Sequence, residues 1–298
     1  MRKLLADKKK GEYQPATISF KLPDSSEVKE SIQIKTRGNF RRDYCYIPPL
    51  KLDFKNHPSP KLKKLHQLKL VTPCRAGSDY EQYVLKEYLI YKMFNLFTEM
   101  SFRVRLININ FVDSKGKKKP FESYGFLVED VDDMAKRNGC KEADIVNLHT
   151  ESTDRDYMTL TAVFQYMIGN TDWAVPVPHN IKLVTPKKAD NAKPFAVPYD
   201  FDYSGIVNAN YAVPSPDLGI LSVRDRLYRG FPRTISELKK VSALFIDNKE
   251  KIYSLINDCK SLTHRNKKDM TDYLDEFYRT LSRDADIKTV FIDGARRS

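Results

Sequence analysis

The sequence predicts an α+β protein in which a small strand-rich lobe with one long helix precedes a mainly helical lobe. Three observations carry this. Residues 13–128 hold repeated stretches in which apolar and polar side chains alternate, as they do along half-buried strands. Within that part, Asp79–Phe97 alone repeats its apolar residues strongly at helical spacing. Beyond residue 130 helical spacing dominates.

Two strands are expected within residues 13–36: Thr17, Ser19 and Lys21 alternate with Ile18, Phe20 and Leu22, and Gln33 and Lys35 with Ile32 and Ile34. Pro23-Asp24-Ser25-Ser26 supplies their turn. Thr36 to Arg42 then reads as a basic loop around the single Gly38, with Arg37, Arg41 and Arg42 beside it, either lying over phosphates or serving as an ordinary hairpin loop. Leu50–Phe54 and Leu65–Val71 are further strands, with Lys51 and Lys69 each set between leucines. Ser78 or Asp79 caps the long helix, and Glu87 stands near the edge of its apolar stripe. Phe102–Val112 and Phe121–Val128 form a hairpin around the charged turn Asp113–Lys119, and a short acidic-capped helix runs from Glu129 to about Asn138-Gly139.

Tyr157–Ile168 is helical, residues 206–221 read as an ordered loop, and Ser222–Tyr228 as a short helix with Arg224, Asp225 and Arg226 exposed. Thr234–Phe245, Lys249–Cys259 and Lys267–Arg283 are helices, and the last residues look frayed.

Lys and Arg number 51 against 39 Asp and Glu, a net charge of +12 that favours anionic partners. The clusters Lys8–Lys10, Lys61–Lys64 and Lys115–Lys119 read as solvated turns, and no nucleic-acid reader motif is present, so nucleic acid is not the expected partner. No apolar run is long enough to span a membrane. The opening Met-Arg-Lys-Leu-Leu-Ala-Asp-Lys-Lys-Lys is too short and polar for a signal peptide, compatible with a cytoplasmic protein or with an exported one whose signal has been removed. The four cysteines, Cys45, Cys74, Cys140 and Cys259, have no zinc spacing; their even number permits disulfides without requiring them.

The chemistry concentrates in Ile168–Gly205. Asp172 precedes a Pro-rich loop, Asn180 stands just before a strand, and Asp200 and Asp202 follow the next strand. A hairpin brings its two ends together, so Asn180 and Asp200 become neighbours at its open end. Carboxylate and amide oxygens gathered in this way suit Mg²⁺ (or Mn²⁺), which completes its shell with water and phosphate. Asp172 then stands nearby as a base, the outline of a phosphoryl-transfer site. No Lys or Arg lies between Asp200 and Gly205 to neutralise the aspartates locally. His179 is read as holding the loop by a hydrogen bond, and Trp173 as a core anchor beneath it.

The order of strand, glycine loop, strand lysine, helix glutamate, hairpin, Asp-loop-Asn, strand pair and Asp resembles the bilobal plan of protein kinases. It resembles most closely the CotH-like atypical kinases, related to HipA-type and secretory-pathway kinases. The carrying residues are Arg37-Gly38-Asn39, the helix after Asp79, Gly125-Phe-Leu-Val-Glu129, Asn170-Thr-Asp172-Trp, His179-Asn180-Ile-Lys-Leu and Pro198-Tyr-Asp200-Phe-Asp202. The resemblance implies an antiparallel-sheet N-lobe over residues 1–128 and a helical C-lobe over 129–298. It implies ATP as phosphoryl donor to a protein or small-molecule hydroxyl. It further implies Asp172 as the catalytic Asp, and Asn180 and Asp200 as metal ligands with Asp202 auxiliary. It implies Lys69 (with Lys51 as second choice) as the phosphate-holding lysine paired with Glu87, with Glu81 behind it. It also implies Arg37, Gly38 and Arg41 near the phosphates, and Glu129 beside the adenine. The single loop glycine, Asn170-Thr171-Asp172 in place of His-Arg-Asp, and Asp202 in place of a glycine depart from typical kinases. They leave open a degenerate nucleotide binder, a non-catalytic scaffold, or transfer of AMP.

Overall fold

The computed structural model describes residues 2–21, 24–38, 40–54, 62, 65–188 and 192–297. Leu22 and Pro23 of the first turn, Asn39 of the glycine loop, Lys61, Lys63 and Lys64 of the second lysine cluster, and the hairpin tip at 189–191 lie outside the described residues. The fold is α+β, and the chain divides into two compact units, Met1–Val84 with Val104–Asp130, and Leu85–Arg103 with Val131–Ser298.

The first unit contains α1 (Arg2–Ala6), β1 (Gln14–Lys21), β2 (Glu27–Thr36), α2 (Phe40–Tyr44), β3 (Leu50–Asp53) and β4 (Gln67–Val71). It also contains the first turns of α3 (Ser78–Phe94), then β5 (Val104–Phe111) and β6 (Phe121–Val128). The strands form one antiparallel sheet in the order β1-β2-β3-β4-β6-β5. Register follows the alternation: Ile34, Leu52 and Leu68 align across β2, β3 and β4, next to the row Lys35, Lys51 and Lys69. Because strand side chains alternate faces, the two rows point oppositely. The apolar face meets Leu4, Val28, Ile32, Phe54 and Leu62, all buried. Each such side chain contributes about 1.5–3 kcal/mol when withdrawn from water, so a one-residue slip of β3 is excluded on energy alone. Gly125 in β6 is required by close approach: a Cβ there would lie 2.8 Å from the Val71 carbonyl oxygen and from Ile109. Cys45 and Cys74 are joined in a disulfide.

The second unit contains the remainder of α3, then α4 (Val131–Arg137), β7 (Cys140–Glu142), α5 (Arg155–Ile168), β8 (Ile181–Pro186) and β9 (Phe195–Pro198). The helices α6 (Ile235–Asp247), α7 (Lys249–Asn257), α8 (His264–Leu281) and α9 (Asp284–Lys288) complete it. Its sheet runs β7-β8-β9. Asp154 caps α5 by accepting from the Tyr157 N–H, and a capping box of Thr234 and Glu237 opens α6. The core is aromatic: Phe94, Phe164, Phe201, Phe245, Phe277 and Phe291 are almost fully buried.

Four expectations need correction. Residues 40–44 form the short α2 rather than a continuous loop, and Arg41 is buried, donating to the Thr72 carbonyl. The three-residue β7 was not expected. Ser222–Tyr228 is not a helix: the Arg224 and Arg226 guanidinium groups lie 4.3 and 3.6 Å from the Tyr273 ring centre, and the Arg226 side chain is only 9% exposed. An arginine stem and its planar head cover an aromatic face better than they face water. The C-terminal segment is ordered, with Ile287 and Phe291 buried and the Arg296 N–H bonded to the Gly230 carbonyl.

Candidate functional site

The loop after α5 is built by local polar bonds. Gly169 ends the helix in the left-handed region, φ 65°, with its N–H on helix carbonyls. A Cβ on Gly169 would fall 1.9 Å from the Tyr273 hydroxyl, and one on Gly205 2.4 Å from it, so glycine is required at both. That allows Gly205 N–H to bond the Gly169 carbonyl and Ile206 N–H the Ile168 carbonyl, joining the two loops that carry the aspartates. Asn170 donates to Gln165 Oε1, and its own Oδ1 accepts from the Asp172 N–H at 3.0 Å, an Asx turn that presents Asp172.

Both carboxylate oxygens of Asp172 are then engaged. Oδ1 lies 2.8 Å from His179 Nε2, and Oδ2 accepts from Asn180 Nδ2 at 2.9 Å. An ionised carboxylate only accepts, so a hydrogen bond here needs the His179 tautomer with its proton on Nε2. Asn180 Nδ2 also reaches the Asp172 carbonyl at 2.8 Å, which turns the amide oxygen away from Asp172. Reciprocal backbone bonds between Ala174 and His179, both 3.0 Å, close the Pro-rich loop. Beneath it Arg229 donates to the carbonyls of Thr171 and Trp173, the residues flanking Asp172, and Trp173 is buried. Burial lowers the Arg229 pKa first and nearby Arg296 lowers it further, while Asp172 opposes both.

The hairpin supplies the second carboxylate. Ile181 pairs with Pro198, and Tyr199 N–H bonds the Asn180 carbonyl at 3.0 Å, so Asp200 follows directly on the residue bonded to Asn180. Asn180 and Asp200 have φ of 51° and 62°, the left-handed region that Asn and Asp tolerate better than other side chains and that recurs at functional sites. The Tyr91 hydroxyl accepts from the Asp200 N–H at 2.8 Å, and Phe201 is buried against Tyr91. Asp202 is 5% exposed, and its Oδ2 accepts from the Tyr211 hydroxyl at 3.0 Å.

Asp172 and Asn180 are therefore in contact, Asp200 is at the same end of the hairpin, and Asp202 is turned toward Tyr211. Among the described residues no group of three or more His, Cys, Asp or Glu side chains is arranged to hold a metal ion. The oxygen-bearing side chains at this end of the hairpin are those of Asn180 and Asp200, and two protein oxygens would leave most of a Mg²⁺ shell to water and phosphate.

Arg37 and Gly38 follow β2, with Arg37 N–H on the Pro49 carbonyl and Gly38 at φ 82°. Lys69 and Lys51 prove to be a directly opposed cross-strand pair, and Lys51 is equally opposed to Lys35. Lys35 Nζ lies 4.6 Å from the Tyr13 ring centre. Glu129 is half-buried just after β6, and Glu81 Oε1 accepts from the Tyr124 N–H. Glu87 is 1% exposed on the part of α3 that belongs to the second unit. Sequence reasoning missed Arg229, Tyr91 and Tyr211 as supports of the aspartate loops, and it did not foresee that Lys35 stands in one row with Lys51 and Lys69.

No family model matches the chain, and no curated protein or solved structure matches it.

Proposed function

We propose that the chain is an ATP- and divalent-metal-dependent phosphotransferase of the CotH-like atypical kinase type, acting on a protein or small-molecule hydroxyl. The observation that carries this reading is the contact of Asp172 with Asn180 beside the hairpin end that presents Asp200. The kinase-like bilobal plan is part of the proposal.

Asp172, its plane fixed by His179 and Asn180, accepts the acceptor hydroxyl's proton as the oxygen bonds to the γ-phosphorus and the bond to the leaving ADP oxygen breaks. Asn180 and Asp200 would hold Mg²⁺, which when bound neutralises charge on the phosphate oxygens. Arg229 holds the carbonyls on either side of Asp172, so the base meets its target without reorganising. Lys35, Lys51 and Lys69 stand in register across β2, β3 and β4, and a row of cations complements phosphate.

The test is transfer of the γ-phosphoryl group under saturating Mg-ATP. Asp200→Ala is expected to abolish turnover, and Asp172→Ala to lose it while leaving nucleotide binding largely intact. Full activity in both variants would overturn the reading. ATP labelled at the α position reports AMP transfer instead. The single glycine of the Arg37-Gly38-Asn39 loop favours one second reading, a nucleotide-binding module without turnover. It predicts a thermal shift with ATP and no transfer from either label.

A further inference from the structure

We propose that the face of the first unit around Phe40, Tyr44 and Tyr46 is a docking surface for an acidic polypeptide segment bearing one large apolar side chain. The proposal stands apart from the phosphotransfer reading and uses none of its residues.

These rings are 46%, 41% and 49% exposed, within seven residues of chain. Large aromatics grouped on a surface at this density mark interaction sites. Phe40 and Tyr44 stack with centroids 4.9 Å apart and planes at 17°. Each tyrosine carries a cation: the Arg75 guanidinium stands 4.9 Å from the Tyr44 ring centre, and Lys118 Nζ 5.0 Å from that of Tyr46, whose hydroxyl it also bonds. Among the described residues, neither Arg75 nor Lys118 forms an ion pair. Phe40 and Tyr44, with Arg42 and Asp43, line an open hollow of about 480 Å³.

The surface is fixed before any partner arrives. Cys45, between Tyr44 and Tyr46, is bonded to Cys74, the neighbour of Arg75, so the disulfide ties together the two chain segments that carry the rings and the guanidinium. Ile47 N–H bonds the Cys74 carbonyl, and Lys8 Nζ reaches the carbonyls of Asp43 and Cys45. A surface ordered in advance loses little entropy on binding, and Tyr and Arg are favoured anchors at such sites.

The chemistry selects the partner. Cations seated on aromatic faces and paired with no carboxylate complement carboxylates. The hollow receives one bulky side chain. A single nucleic-acid strand fits less well, because stacking of successive bases needs a run of ring faces. Here Arg75 and Lys118 already lie over Tyr44 and Tyr46, so those two faces are not open to successive bases.

The test is fluorescence polarisation on the oxidised full chain, with a fluorescein-labelled peptide of Glu and Asp around one central Trp. Saturable binding is expected, weakened about tenfold or more by Phe40→Ala, by Arg75→Glu, and by replacing the peptide's Trp with Ser. Arg105→Glu removes the same charge from an exposed position on β5 and is expected to change binding less than about twofold. Reduction of the disulfide should also weaken binding. Circular dichroism and thermal midpoint serve as controls, since the substituted side chains are on the surface. The proposal is overturned by no binding at millimolar peptide, by equal loss in Arg105→Glu, or by an oligothymidylate strand that binds more tightly through Phe40.

Discussion

The six-stranded sheet and the segment from Tyr199 to Arg233 hold their backbones by different means. In the sheet, main chain bonds main chain, and side chains divide into a buried apolar row and a polar row. The later segment has one short turn of 3₁₀ helix, Pro216–Leu218; isolated turns bond part of its backbone, and arginines bond further carbonyls within it and in its neighbours. Arg224 donates to the Gly205 carbonyl, Arg229 to those of Thr171 and Trp173, and Arg233 to Glu151 and to nearby carbonyls. A buried carbonyl must be satisfied whether or not it sits in a ladder, and a guanidinium with five donors does so across irregular chain. Part of the excess positive charge is therefore structural and not an invitation to a polyanion.

The comparison can be broken most strongly at Arg233. Its side chain is 2% exposed, bonds both oxygens of Glu151 at 2.6 and 2.9 Å, and reaches Thr159 Oγ1 at 2.7 Å. Arg233→Ala removes a buried side chain and leaves Thr159 Oγ1 and the Pro232 carbonyl without its donors, while Glu151 keeps Arg155, and is expected to cost about 3–4 kcal/mol of unfolding free energy. Amide exchange should rise in α5 and in residues 199–233 before it rises in β1–β6. Equal acceleration in the sheet would show that the two regions are not held separately.

The sheet side is tested by Cys74→Ser. The disulfide closes a sequence separation of 29, and its loss is expected to cost about 3 kcal/mol. Denaturant unfolding measures the cost, and amide exchange should now rise first in β3 and β4. A cost below about 1 kcal/mol would mean that the ladder alone fixes this edge of the unit.

Gly169→Ala probes the joint between the two aspartate loops. A left-handed φ and a Cβ directed at the Tyr273 hydroxyl predict a loss of about 2 kcal/mol. Removing the hydroxyl by Tyr273→Phe in the same chain should recover part of it. No recovery would assign the cost to backbone conformation alone.

The smallest effect concerns pH. Arg155, with the Thr234 N–H, holds the Glu237 carboxyl down from 4.5 to about 2. Its folded pKa lies below the unfolded value, so the stabilisation is complete above about pH 4.5 and is lost as pH falls toward 2. The pair is partly solvent-screened and contributes about 1 kcal/mol. Glu237→Gln should flatten the stability curve between those two pH values, and an unchanged slope would contradict the assignment.

Regular periodicity explains which parts of the fold were legible. The strands from Gln14 to Val128 and the helices α3, α5, α6, α7 and α8 announce themselves by repeat, and their ends fell within a few residues of expectation. Cys140–Glu142 is too short to carry a period. Ser222–Tyr228 has helical composition, but its arginines are drawn onto Tyr273, a partner about fifty residues later that no local pattern reveals. At the candidate site, Asp172, Asn180 and Asp200 could be read because a hairpin relates its own two ends. In the first unit, the lysine row that Lys35 completes could not be read, because it depends on the register of three strands. Arg229 could not, because its partners are backbone carbonyls, which every sequence has.

The most direct measurement of the central claim is Mn²⁺ binding followed by electron paramagnetic resonance, with ATP present. The account predicts a bound Mn²⁺ signal that Asp200→Ala removes, that Asn180→Ala weakens, and that Asp172→Ala retains. A signal unchanged by Asp200→Ala, or none in the parent chain, would contradict it.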